Sequence, residues 1–133
     1  MTAKPVGSEL PIFTKTYDFL AWLVPITNHF PRAQRHTVTQ RLLDAAFNFQ
    51  ERLVRANTLR GQARLTELRA ADTELDLVRH YLRLAHRWGW LSPGQYEHAS
   101  HHEAELGRLL GGWQKVTRDS LSGATAPATV GAG

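Results

Sequence analysis

The chain has no cysteine among its 133 residues, which excludes a disulfide framework, a thiolate metal site and a thiol nucleophile. A reducing, intracellular compartment suits that composition. No apolar run approaches the roughly 20 residues a membrane-spanning helix needs, and Met1 to Leu10 lacks the basic start and hydrophobic centre of a signal peptide. The expectation is a soluble, unexported, cytoplasmic protein with no membrane partner. Hydrophobicity nowhere alternates with the period of two that marks a strand. A Gly-rich phosphate loop, a helix-turn-helix signature, an aromatic RNA-binding motif and a His-Glu-x-x-His metal motif are all missing too. Acidic residues are the minority charge, 12 against 16 basic, for a formal net charge of +4. The excess is mostly arginine, which favours partners offering phosphate or carboxylate groups.

What is present is helical periodicity. Leu68, Ala71, Leu75, Val78, Leu82 and Ala85 recur at spacings of three and four, the seam of a helix packed against other helices. Leu77, Tyr81, Leu84 and Trp88 repeat on another side, and a charged band of Asp72, Asp76, Arg79, Arg83 and Arg87 runs between them. A chain of this length supports one domain that buries roughly two thirds of its unfolded surface. Residues 1–11 read as a loose leader, 12–121 as the folded domain, and 122–133, which lacks large apolar groups, as a disordered tail.

Within the domain, Phe13, Tyr17, Leu20, Val24 and Thr27 predict a first helix from Ile12, with Pro25 kinking it or ending it near Leu23. A second helix is expected from Arg32 to Ala56, opened by Pro31 and carrying the seam Val38, Leu42, Ala45, Phe49, Leu53 and Ala56. Gly61 closes the turn before a third helix over 62–88. Gly89 then supplies a stop signal, and Ser92-Pro93-Gly94-Gln95 reads as a capping box that starts a fourth helix. The fourth seam is Tyr96, Ala99, Leu106, Leu110 and Trp113; beside it, Ser100, Ala104, Gly107 and Gly111 suggest a close helix crossing. Four helices with short connections predict an all-α, up-down-up-down four-helix bundle.

Three groups of residues are candidates for function. Helix four holds His98, His101 and His102 among Glu97, Glu103 and Glu105, so two imidazoles and Glu105 can in principle meet one metal; the favoured reading is a solvated helix face, with no metal, cofactor or catalytic residue. Between Arg32 and Arg69 there are eight arginines against three acids. Arg32, Arg35, Arg41, Arg52, Arg55, Arg60 and Arg64 have few acids nearby, and as a phosphate-backbone surface they would bind RNA or DNA by charge with little base readout. The equally open alternative for them is a solvated face, and for Arg79, Arg83 and Arg87 an internal ion-pair network. Finally, Leu43, Phe47 and Val54 on helix two and Leu77, Tyr81, Leu84 and Trp88 on helix three form second apolar stripes. A soluble monomer seldom exposes apolar stripes of that extent, which points to a homo-oligomer or partner interface; the alternative is a thicker core with long flanking side chains.

The joint pattern resembles a known family. Val24-Pro25-Ile26, Phe30-Pro31-Arg32, Leu68-Arg69-Ala70-Ala71-Asp72 and the following Leu75, Leu77, Arg79, Leu82, Arg83 and Leu84 look like the accessory variability determinant (Avd) proteins of diversity-generating retroelements. Ser92-Pro93, Gln95, Glu105, Gly107-Arg108, Leu110-Gly111 and Trp113 agree in order and spacing. The resemblance implies a ring-like homo-oligomer, a pentameric barrel of four-helix bundles. It also implies a non-catalytic accessory role, in which the barrel binds a reverse transcriptase and template RNA or cDNA to support mutagenic cDNA synthesis and retrohoming. Arg32, Arg79, Arg83 and Arg108 are the basic positions it matches. The alternative is a four-helix-bundle protein of the kind encoded in 23S rRNA intervening sequences, with a structural or unknown role and no polymerase partner.

Overall fold

The Leu68–Ala85 spacing is realised as a helix, α3 (Gly61–Arg87), whose six seam residues are each at most 1% exposed. The computed structural model describes residues 10–132, with side chains as far as residue 123. Three further α-helices occur among the described residues, α1 (Pro11–Thr27), α2 (Val38–Thr58) and α4 (Pro93–Ala132), with a 3-10 turn at Arg32–Gln34 and no strand. Each helix packs on the next and α4 closes on α1, whereas the diagonal pairs make no close approach. This is a four-helix bundle in which α2 against α3 is the most extensive contact.

Helix α1 runs through Pro25 to Thr27, so of the two outcomes expected there, a kink or an end near Leu23, the end is not realised. The missing Pro25 donor leaves only the carbonyl of Ala21 without its bond, and both residues are exposed, so that carbonyl faces solvent. Proline so close to a helix C-terminus interrupts one bond and no more. The buried face of α1 also differs from the expected seam: Ile12, Thr16, Phe19, Leu20, Leu23 and Thr27 are buried, Phe13 and Val24 are half-buried, and Tyr17 is 68% exposed. Thr16 is tolerated inside because its hydroxyl donates to the Ile12 carbonyl at 2.6 Å.

The second helix begins later than the expected Arg32. Gln34, Arg35 and Thr37 each donate a backbone N–H three residues back, to Pro31, Arg32 and Gln34. The 3-10 winding ends at Thr37 (φ −120°, ψ −100°), and α2 starts at Val38 with no side-chain cap. From there its seam is as expected: Leu42, Ala45, Phe49, Leu53 and Ala56 are buried, joined by Ala46, while Val38 is half-buried.

The α3–α4 connection follows the sequence signals closely. Gly89 takes φ +78°, Trp90 N–H reaches back to the Ala85 carbonyl at 2.8 Å and Gly89 N–H to that of His86 at 3.0 Å, the pattern of a Schellman stop. Two residues on, the Gln95 N–H donates to Ser92 Oγ at 3.1 Å and the Ser92 N–H to Gln95 Oε1 at 2.9 Å, which completes the capping box. The end of α4 expected near Leu121 is not there, since the helix continues to Ala132; the side chains beyond residue 123, and residues 1–9 of the expected leader, lie outside the described residues.

Exchanging core and surface positions tests these faces. Leu75→Ala, at a site with no exposed surface, should cost about 2–5 kcal/mol of unfolding free energy. Tyr17→Ala should change it by no more than about 0.5 kcal/mol. Urea titrations of both variants followed by circular dichroism read the difference.

Candidate nucleic-acid interface

Arginine is always charged, so what distinguishes one arginine from another here is whether a neighbouring acid or carbonyl already occupies its guanidinium. Arg52 bridges α2 to Glu67 of α3 at 3.2 Å, Arg55 stands 4.0 Å from Glu51 one turn back, and Arg108 pairs with Glu105 at 2.8 Å. Arg64 is a capping device. Its Nε donates to the Ala56 carbonyl at 2.9 Å and its Nη2 to Asn57 at 3.4 Å, satisfying the end of α2, while the guanidinium lies 5.6 Å over the Trp113 ring. Burial, and then the neighbouring Arg60, hold its pKa below the usual arginine value.

Arg79 is the centre of the α3–α4 contact. It meets Asp76 at 2.6 Å and Glu103 Oε1 at 3.7 Å, and donates to the Glu103 carbonyl at 3.5 Å. Gly107 makes the room, because a Cβ at that position would come within 2.6 Å of Arg79 Nη2. At Gly107 the small flank of α4 is thus a seat for a guanidinium. Gly111 faces open space. Burial raises the Glu103 carboxyl pKa, opposed by the charges of Arg79 and Arg83, so Arg83 also belongs to this ionic cluster.

Six of the nominated arginines make no ion pair among the described residues: Arg64, which is held by backbone carbonyls, Arg83, which acts on Glu103 only through its charge, and Arg32, Arg35, Arg41 and Arg60, which have neither. These last four do not form one patch. Arg32, Arg35 and Arg41 surround the start of α2, whereas Arg60 precedes α3, one α2 length away, or about 30 Å at 1.5 Å per residue.

The second stripes are partly surface and partly core. Val54 is 52% and Trp88 50% exposed, and Phe47, Leu77 and Leu84 are less so, at 40%, 39% and 37%. Leu43 and Tyr81 are half-buried and lean on the core.

The helix-four histidines are brought together in a way the sequence concealed. His98 and His102 approach through their Nε2 atoms at 3.1 Å and pack on Trp22, whose ring centroid is 4.7 Å from that of His98; Phe19 lies 5.4 Å from His102. Glu105 turns to Arg108 instead, and among the described residues no three His, Asp or Glu groups converge on a metal position. Desolvation, and then the charge of His98, push the His102 pKa down, with Asp18 opposing. The helix-one aromatics carry this contact, and only the i, i+4 spacing of the histidines signalled it.

The bAvd-like family model matches residues 10–117 of the chain. Among solved structures, a protein of unknown function from the S23 ribosomal protein family of Bacteroides thetaiotaomicron superposes with a TM-score of 0.71 at 19% identity, over 78% of this chain and 95% of that one. This likeness is one of fold. No curated protein matches.

A depressed His102 pKa means that the unfolded chain takes up its proton first, so stability present above about pH 6.5 should be lost as pH falls through that value. His102→Gln should flatten that portion of the stability-versus-pH curve. Denaturant midpoints measured between pH 5 and 8 check it; parallel curves for the two proteins would contradict the assignment.

Proposed function

The chain belongs to the bAvd-like family, and from that membership we propose that it is a non-catalytic accessory protein of a diversity-generating retroelement. In this reading it assembles into a ring of identical bundles, a pentamer, which binds a reverse transcriptase and holds template RNA or cDNA during mutagenic cDNA synthesis. The family match over residues 10–117 carries the reading. The acid-free arginines Arg32, Arg35, Arg41 and Arg60 support it, as phosphate contacts that need not first break an internal ion pair. Arg52, Arg55, Arg64, Arg79, Arg83 and Arg108 then serve the fold first, and meet nucleic acid only where their outer N–H groups reach solvent. Phe47, Val54, Leu77, Leu84 and Trp88 supply the apolar part of the subunit contacts.

Binding that rests on phosphate neutralisation must weaken as salt rises, because each contact releases a counterion. With about three phosphates neutralised per protomer, log Kobs for a single-stranded RNA should fall against log salt with a slope of about −2. Fluorescence anisotropy between low and moderate salt gives the slope, and a flat line removes nucleic acid from the reading. Co-expression with a reverse transcriptase of a diversity-generating retroelement should yield a co-purifying complex. Recovery of neither complex nor RNA binding favours a bundle of the rRNA intervening-sequence kind with no polymerase partner.

The assembly has its own measurement. Light scattering should return about five times the 15.0 kDa chain mass, and Trp88→Asp, which places a charge in the exposed apolar stripe, should lower it. A wild-type mass of one chain would overturn the ring.

A further inference from the structure

A cavity of about 200 Å³ lies at the corner where α1 passes through the 3-10 turn into α2. Its polar wall comes from Asn28, Arg32, Arg35, Thr39 and Gln40, with Phe30 and Leu43 among the apolar groups beneath. No carboxylate lines it, and neither arginine has an acid partner among the described residues. Asp44, one turn further along α2, is engaged by the Gln40 amide at 2.9 Å.

Two further observations point to an anionic occupant. Helix α2 begins at this cavity with no side-chain cap and no acid in its first turn, so its first N–H groups and the positive end of its dipole are uncompensated. Thr39, in that first turn, is 8% exposed, and its hydroxyl has no hydrogen-bond partner among the described residues. A buried, unmade hydroxyl bond is costly in a core helix, and Thr39 is one of the residues that line the cavity.

We propose that this corner is a phosphate-monoester site, in which the Arg32 and Arg35 guanidinium groups balance a dianionic phosphate against the open start of α2 and the Thr39 hydroxyl donates to it. The recess distinguishes this site from a flat basic surface: it admits a terminal phosphate with three free oxygens, whereas a phosphodiester within a strand presents two and must bring both flanking sugars to the rim. The proposal rests on the reading of Arg32 and Arg35 as phosphate contacts, and it adds which kind of phosphate they select. The monoester can come from the end of a nucleic-acid strand or from a free nucleoside monophosphate.

The test compares one RNA oligonucleotide with a 5′-phosphate, a 3′-phosphate or hydroxyls at both ends, and adenosine monophosphate as a competitor, all against the full chain. A phosphorylated end should bind about ten-fold more tightly than the hydroxyl-ended strand, the scale of one charge-assisted contact set. Arg35→Gln should abolish that preference while hydroxyl-ended RNA still binds through the remaining arginines. Thr39→Val should reduce the preference about three-fold without lowering the thermal midpoint, since it removes an unpartnered hydroxyl at constant shape; a purely structural threonine would move the midpoint and leave the preference alone. Displacement of the phosphorylated strand by micromolar adenosine monophosphate assigns the site to free nucleotides, and failure to displace assigns it to strand ends. Equal affinity for all three strands overturns the monoester site while leaving general RNA binding intact. If no strand binds, the RNA reading fails, and the site then stands or falls on whether adenosine monophosphate raises the thermal midpoint of the wild type but not of Arg35→Gln.

Discussion

The burial of one seam on α3 is the constraint to which the other helices answer. From Leu65 to Ala85 the seam leaves no more than 3% of any residue exposed, so α3 has neighbours on both flanks, α2 along one and α4 along the other. Burying a leucine side chain is worth about 1.5–3 kcal/mol, and four of these seam positions are leucine. The flanking helices in turn fix α1, whose backbone comes close only to those of α2 and α4 among the described residues. Polar chemistry is thereby confined to the corners of the bundle and to the strips between neighbouring helices. That is where the arginines lie.

The α2 and α3 seams were legible because their large apolar residues fall at regular spacing and nothing polar competes for the interior. The α4 start was legible for a different reason: the Gly89 stop and the Ser92–Gln95 box are local chemistry that needs no tertiary context. The expected α1 seam shares Leu20 and Thr27 with the buried face but takes Tyr17 in place of Thr16, because tyrosine outweighs threonine in any hydrophobic pattern. A threonine that satisfies its hydroxyl on the preceding turn is nevertheless a good core residue, as the bond to Ile12 shows. The start of α2 was misplaced because Pro31 opens either kind of helix, and the choice between 3-10 and α winding depends on how α1 and α2 must meet.

Charge was less legible than apolar pattern. An arginine's spacing along a helix says which face it occupies but not which acid on another helix waits there. Glu67 for Arg52 and Glu103 for Arg79 are separated from their partners by 15 and 24 residues. These pairings divide the arginines into those that tie helices together and those that stand open around the α2 start. The division depends on long-range geometry, and residue counting along the chain blurs it.

Gly107 shows how narrow that division is. Its lack of a side chain lets the Arg79 guanidinium lie across α4 between Asp76 and Glu103. One methyl group there would displace the guanidinium outward, turn an internal tie into a surface cation, and leave Glu103, already short of solvent, leaning on Arg83 alone. The side chains at 79 and 107 therefore form a size-matched pair across two helices, and the bundle's external charge is set in part by a residue that carries none.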